Sequence, residues 1–167
     1  MENIVWSFYL ITFDAVSEGT ALLNLDSSLC YQYLSPLPFG FVTVVPRAVI
    51  NSLRPLDYVG FLVDGSPGAP FLTEPVVDAW GYENVDDDLG LPLDVDDDRI
   101  FDQDEDGKPG VSLSIETVQG NAICDVQVVQ RTQFSLEGTV ATGTRIEGRF
   151  NVTPEQTILS ASSALCA

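Results

Sequence analysis

Residues 124–152, CDVQVVQRTQFSLEGTVATGTRIEGRFNV, decide the fold class of this chain. In the first half of this stretch, apolar side chains stand at even positions, namely Cys124, Val126, Val128, Phe134, Leu136 and Val140. In the second half, the same spacing continues with Ile146, Gly148, Phe150 and Val152. A period of two predicts a β-strand with one buried face, because successive side chains of a strand point to opposite sides. The connection Ala141-Thr142-Gly143 predicts that the two strands form a hairpin.

Other segments of strand length, rich in β-branched and aromatic residues, surround this hairpin. They are residues 3–13, 20–25, 29–34, 39–45, 58–63, 76–80, 111–115 and 157–165. Residues 49–53 predict a short helical turn, and residues 66–75, with three prolines, predict a loop or an edge strand. About nine or ten strands separated by turn signals are typical of an antiparallel sandwich or barrel. Both all-β architectures stay open, whereas a parallel α/β fold is excluded because no segment is long enough for crossover helices.

Length and composition indicate one folded domain. The chain has 167 residues, of which 45% are hydrophobic and 19% are charged. A domain of this size buries roughly two-thirds of the surface that its unfolded chain exposes. We therefore predict a single β-rich domain over residues 1–167, with an acidic, calcium-binding insertion at about residues 83–110.

Acidic residues dominate the charge, with 25 acids against 7 bases and a formal net charge of −18. Residues 83–106 hold twelve of these acids and one base, Arg99, and therefore carry −11 of that charge. Nucleic acid and anionic membrane surfaces are excluded as partners, because such a chain repels them. A surface adapted to high salt would spread its acids, so their crowding favours a site for a cation.

Histidine is absent, which excludes Ser-His-Asp catalysis, Cys-His catalysis and histidine-bound zinc. The three cysteines allow at most one internal disulfide, and three interpretations stay open: a bond from Cys166 to Cys124, a bond from Cys166 to Cys30, or buried free thiols. The apolar run at residues 4–13 is too short to cross a bilayer, so we expect no membrane-spanning segment. Glu2 precedes this run where a signal peptide would have basic residues, and export is left open.

The motif that predicts a cation-binding site is DQDEDG at residues 102–107, a DxDxDG pattern. Carboxylates two residues apart converge on one hard cation when the backbone curls around it, and Gly107 permits the sharp turn. The side chains of Asp102, Asp104 and Asp106 and the backbone carbonyl of Lys108 are the predicted ligands. Oxygen donors alone fit Ca²⁺ better than they fit softer metals.

These residues resemble the calcium loops of EF-hands, dockerins and thrombospondin type 3 repeats, over roughly a dozen residues. The resemblance implies side-chain ligation by the three aspartates and carbonyl ligation at Lys108. The twelfth loop position is Leu113, where an EF-hand has a bidentate glutamate, and Pro109 follows the loop directly. An EF-hand helix pair is therefore not predicted.

A second acidic pattern lies eight residues upstream, at residues 94–98, with Arg99 in the place of the glycine. Its alternate positions, Asp94, Asp96 and Asp98, are further candidate metal ligands. Residues 86–88, three consecutive aspartates, are candidates to complete the shell. The two DxDxD patterns together predict a site with two lobes.

We expect a calcium-stabilised binding or structural module that is secreted, periplasmic or on the cell surface. Millimolar calcium and an oxidising milieu occur outside the cytoplasm, and a loop without the bidentate glutamate binds calcium weakly. A protein or carbohydrate partner is left open.

Two other functions are weighed against this one. A lipocalin-like carrier would close its strands around a small apolar ligand. A glycoside hydrolase would use carboxylates such as Glu74, Asp78 and Glu83, with Trp80 and Tyr82 as platforms for sugar rings. The enzyme is the less favoured expectation, because no spacing rule singles out these acids.

Overall fold

The computed structural model describes residues 5–15, 22–34, 40–83, 89–142 and 145–166, and most of them form antiparallel strands. The strands in these ranges are β1 Val5–Ala15, β2 Leu22–Leu34, β3 Phe41–Val44, β4 Leu56–Leu62, β5 Pro70–Thr73, β6 Val76–Trp80, β7 Val111–Thr117, β8 Ala122–Thr142 and β9 Arg145–Ala161. One short helix, α1, spans Arg47–Ser52. The predicted all-β class, the number of strands and the helical turn are thus confirmed.

Strand β8 is the central strand of the sheet and, in the described ranges, pairs with four other strands. The strand order is β1-β2-β4-β5-β8-β7-β3, and β6 and β9 also pair with β8. Along one edge of β8 run β7, β6 and β5 in succession, and along the other edge runs β9. Among the described residues β1 and β9 share no ladder, so closure into a barrel is not observed, whereas a sandwich is compatible with the pairing.

Three segments differ from their sequence-based predictions. The two strands predicted within residues 20–34 form one continuous strand, β2. Residues 66–75, predicted as a loop or an edge strand, contain β5, which pairs with both β4 and β8 and is therefore internal. Strand β9 continues through Pro154 to Ala161, so the predicted separate last strand is wrong. Pro154 is tolerated there because β9 pairs with β8 alone in the described chain, and a proline can direct its missing N–H away from the ladder.

Two apolar clusters form the core. One contains Trp80, Val111, Leu113, Val126 and Val128, and the other contains Leu23, Leu25, Tyr58, Phe71 and Phe134. The period-two prediction for β8 is confirmed at Cys124, Val126, Val128, Phe134 and Val140, all of which are buried.

Burial differs from the predicted alternation at three positions of β8 and β9. Phe150 and Val152 are 42% and 44% exposed, although Phe150 lies with its ring centroid 5.0 Å from that of Phe134. The prediction that these two side chains are buried is therefore wrong. The alternation along β8 places Gln127 on the opposite, outward face, yet it is buried, because its side-chain amide forms hydrogen bonds with residues of β7 and β9.

A disulfide joins Cys124 of β8 to Cys166, with their Cα atoms 6.6 Å apart. This pairing is one of the alternatives left open by the sequence, and it excludes a bond from Cys166 to Cys30. It attaches the residues that follow β9 to strand β8. In the described ranges, no helix combines the length and the apolar character needed to cross a membrane.

Candidate metal centre

The acidic segment leaves the sheet after β6 and returns to it at β7, and two glycines hold its ends together. Gly81 and Gly110 both have positive φ, of 75° and 84°. A Cβ atom on Gly81 would lie 2.7 Å from the Cα atom of Gly110, and a Cβ atom on Gly110 would collide with the carbonyl oxygen of Val128. Only glycine permits this approach, so the base of the loop is closed against β8.

Hydrogen bonds reinforce the same base. The N–H of Phe101 donates to the carbonyl of Gly81 at 3.2 Å, and the N–H of Gly110 donates to the carbonyl of Phe101 at 2.9 Å. The side-chain oxygen of Gln103 accepts from the N–H of Gly81 at 2.6 Å, while the backbone N–H of Gln103 donates to the carbonyl of Gly110 at 3.1 Å. The DxDxDG turn therefore starts and ends on an anchored frame.

Within that frame the carboxylates of Asp102, Asp104 and Asp106 converge. One oxygen of each lies within 4.8 Å of one oxygen of each of the others. The turn is curled by the Asp102 carboxylate, which accepts from the N–H of Asp106 at 3.1 Å and from that of Gly107 at 2.7 Å. Glu105 and Gly107 adopt positive φ, of 58° and 83°, and the chain thereby doubles back around the carboxylates.

Asp104 is the most enclosed of the three. Its Oδ2 atom accepts from the N–H of Ser112 at 3.2 Å. Its Oδ1 atom is buried and accepts no hydrogen bond from the described part of the chain. Burial raises the pKa of this carboxyl, and the negative charges of Asp106 and Asp102 raise it further, against the lowering effect of the backbone N–H groups of Ser112 and of Asp104 itself. A buried carboxylate oxygen without a donor is a position where a cation would be favourable.

Asp106 has more partners. Its Oδ2 atom accepts from the Ser112 hydroxyl at 2.6 Å, and its Oδ1 atom accepts from the N–H of Lys108 at 2.9 Å. The ammonium of Lys108 lies 3.4 Å from the same carboxylate. Burial raises the pKa of Asp106, but the hydrogen bonds from Ser112 and Lys108 outweigh burial and leave this pKa below its ordinary value. Lys108, predicted as a carbonyl ligand, thus meets the cluster through its N–H and its ammonium.

A chain of hydrogen bonds extends from the cluster into the sheet. The hydroxyl of Ser112 accepts from the Gln127 amide at 3.3 Å, and the oxygen of that amide accepts from the hydroxyl of Ser160 at 2.5 Å. Gln127 is only 5% exposed, and its partners satisfy its buried polar atoms. Asp106 is thereby coupled to β7, β8 and β9. No local pattern signals this role for Gln127, because its partners lie 15 and 33 residues away.

The upstream pattern is organised differently. Asp94 accepts from the N–H of Asp96 at 3.1 Å, while Asp97 forms a two-pronged contact with Arg99, at 2.8 Å to Nη2 and 3.0 Å to Nε. The hydrogen bonds from Arg99 hold the pKa of Asp97 at about 2. Arg99 also donates to the carbonyl of Gly90 at 2.8 Å. The single base of residues 83–106 therefore joins two parts of the acidic segment.

Among the described residues, the three acids at positions 102, 104 and 106 are the only group of acidic, cysteine or histidine side chains close enough to hold an ion. Asp94, Asp96 and Asp98 do not gather in this way, and residues 86–88 lie outside the described ranges. The two-lobed arrangement stays a prediction.

Asp78, one of the acids considered for sugar hydrolysis, lies outside the cluster of three carboxylates. Asp78 accepts a hydrogen bond from the indole N–H of Trp80 at 2.8 Å, and burial raises the pKa of this carboxyl. Trp80 and Tyr82 are each 2% exposed. The expectation that their rings offer platforms to a sugar is therefore wrong, because both rings are packed inside the protein.

Comparisons with models of protein families, with curated proteins and with solved structures gave no match for this chain. The function of the site is therefore inferred from its own chemistry. Three carboxylates converge, and one of their oxygens is buried and accepts no hydrogen bond from the described residues.

Proposed function

We propose that this protein binds Ca²⁺ through Asp102, Asp104 and Asp106, and that the ion stabilises the fold. The observation that carries the proposal is the buried Oδ1 atom of Asp104, which accepts no hydrogen bond from the described chain and belongs to a cluster of three carboxylates. A divalent cation is the ligand that satisfies such an oxygen and offsets the repulsion at the same time.

The energetic argument concerns like charges at short range. Two unit charges about 4 Å apart repel by about 1 kcal/mol in bulk water and by about 4 kcal/mol at an effective dielectric constant near 20. The three carboxylates lie at comparable separations, and the single ammonium in the cluster, that of Lys108, leaves a net negative charge. Binding of a cation to the folded state alone therefore raises the free energy of unfolding.

Several features favour calcium over other cations. The donors are carboxylate oxygens, which hard cations prefer over softer metals. Water and the carbonyl of Lys108 are the proposed remaining ligands, because calcium accepts six to eight oxygens in a flexible shell. Leu113, at the twelfth position, is buried in the core, so no bidentate carboxylate is available there and the proposed affinity is in the range of extracellular modules, at about 10⁻⁴–10⁻³ M.

We further propose that the protein works outside the cytoplasm. The disulfide between Cys124 and Cys166 supports this location, because such bonds persist in oxidising compartments. A site of millimolar affinity is filled there and stays empty in the cytosol. On this proposal the ion adds stability to the anchored loop only where calcium is millimolar.

Titration calorimetry with CaCl₂ tests the proposal on the wild-type chain, with MgCl₂ as the competing ion. Asp104→Asn removes the proposed central ligand charge, and Asp57→Asn removes an equal charge from an exposed position on β4. We expect saturable heat with calcium for the wild type and Asp57→Asn, and none for Asp104→Asn. Absence of calcium heat in the wild type, or equal heat in both variants, would contradict the proposal.

A further inference from the structure

A cavity of about 320 Å³ lies on the inner face of the sheet, away from the acidic loop. Apolar side chains from five strands line it, namely Ile11 of β1, Leu23 and Leu25 of β2, Phe71 of β5, Leu136 of β8 and Ile146 of β9. Small-molecule sites in proteins are concave, mostly apolar, and roughly 300–1,000 Å³ in volume. The cavity therefore has the size and the lining of a ligand site.

The curl of the sheet creates this cavity. In the described chain β1 pairs with β2 alone and β9 pairs with β8 alone, so both are sheet edges. Ile11 on one edge and Ile146 on the other nevertheless line the same space, which means that the sheet bends until its two edges face each other. Ile11 is 36% exposed, so part of the lining is accessible to solvent.

Two glycines bring β8 and β9 close together at the wall of the cavity. Gly138 of β8 and Gly148 of β9 stand directly opposite each other in the ladder, and Gly148 borders the cavity. A Cβ atom on Gly148 would collide with the carbonyl oxygen of Glu137, so this position admits no side chain. An apolar guest in the cavity would gain dispersion contacts with the side chains that line it.

The charges around the cavity indicate which guest is favoured. Glu137 and Arg149 border it, and they face each other directly across the β8–β9 ladder. The lining therefore includes one acid and one base and has no net formal charge that would select an ionic head group. The chain as a whole carries −18, and this charge repels anionic ligands such as fatty-acid carboxylates.

We propose that this cavity binds a small uncharged apolar molecule, of the class of medium-chain alcohols and hydrocarbons. The site is separate from the proposed calcium centre and uses none of its residues. Binding removes apolar surface of both ligand and wall from water, which is the driving force for association at such a site.

The test uses the full chain with its disulfide intact and N-phenyl-1-naphthylamine, an uncharged dye whose fluorescence rises in apolar surroundings. Ile146→Trp fills the cavity from β9, and Ile11→Trp fills it from β1. Ile158→Trp is the matched control, because Ile158 is also on β9, is 51% exposed and does not border the cavity. 1-Decanol and sodium decanoate, with equal chain lengths, serve as competitors.

We expect saturable dye binding by the wild type, displaced by 1-decanol at concentrations about tenfold or more below those of decanoate. Either filling variant that keeps the wild-type circular dichroism should weaken dye binding by about tenfold or more, whereas Ile158→Trp should change it by less than about twofold. Absence of saturable binding by the wild type would overturn the proposal, as would filling variants that bind like the control. Equal displacement by decanoate would overturn the preference for an uncharged ligand.

Discussion

Replacement of Asp104 by asparagine should change the stability of the protein in opposite directions with and without calcium. The amide has nearly the same shape as the carboxylate and keeps an oxygen that can accept from the N–H of Ser112, as Oδ2 of Asp104 does at 3.2 Å. What it removes is one negative charge from the cluster that includes Asp102 and Asp106. The substitution therefore separates the repulsion between carboxylates from the shape of the turn.

The magnitude follows from the two neighbouring charges. One oxygen of Asp104 lies within 4.8 Å of one oxygen on each neighbour, and each such pair repels by about 1 kcal/mol when water screens it. In chelator, Asp104→Asn should therefore raise the free energy of unfolding by about 2 kcal/mol, or the melting temperature by roughly 4–8 °C. With calcium at about one hundred times its dissociation constant, the wild type gains about 2.7 kcal/mol. The variant loses this gain, so the wild type becomes the more stable of the two.

Thermal melts followed by circular dichroism, in EDTA and in excess CaCl₂, measure this reversal. Asp57→Asn is the control, and any change in its stability, such as relief of repulsion from Asp26 opposite it, should be the same in both conditions, because the position is exposed and lies outside the cluster. If Asp104→Asn and the wild type keep the same order in EDTA and in calcium, the ion does not bind at this carboxylate. If Asp104→Asn is less stable than the wild type in EDTA, repulsion between the three carboxylates does not lower the stability of the folded state.

Three further results are expected. Gly110→Ala should lower the free energy of unfolding by about 2 kcal/mol or more beyond Gly120→Ala, because both positions have φ near 84° but only Gly110 lies against the backbone of another strand. Asp78→Asn should stabilise the protein at pH 7. The folded-state pKa of Asp78 is raised by burial, so its contribution is favourable below the unfolded value of 3.8 and is lost as the pH rises through the folded-state pKa. Reduction of the Cys124–Cys166 bond should lower the free energy of unfolding by about 2–4 kcal/mol.

Urea unfolding measures all three quantities. Equal effects of the two glycine substitutions would show that the close contact at the base of the loop does not matter. A stability difference for Asp78→Asn that does not shrink between pH 7 and pH 3 would exclude a raised pKa as its cause. Identical unfolding curves with and without dithiothreitol would indicate that the disulfide adds no stability.

The strands were predictable because their pattern is local. Alternation along residues 124–140 requires only that one face be buried, and that requirement is visible locally at most positions, although Val128 and Val129 are neighbours and are both buried. The failures occurred where a partner decides the outcome. Residues 66–75 looked like an edge because of their prolines, yet β5 lies between β4 and β8. Phe150 and Val152 have the right spacing for burial, but β9 pairs with β8 alone in the described chain, and these side chains stay 42% and 44% exposed.

The candidate metal centre divides in the same way. The sequence by itself determined which residues could chelate a cation, because Asp102, Asp104 and Asp106 curl around one turn and need no distant partner to do so. Only the tertiary structure decided that Asp104 has a buried oxygen without a donor, that Gln127 connects the turn to three strands, and that Cys166 pairs with Cys124. It also created the apolar cavity between β1 and β9. Each of these features joins residues far apart in the chain, and no spacing rule encodes which distant segments meet until the sheet has folded.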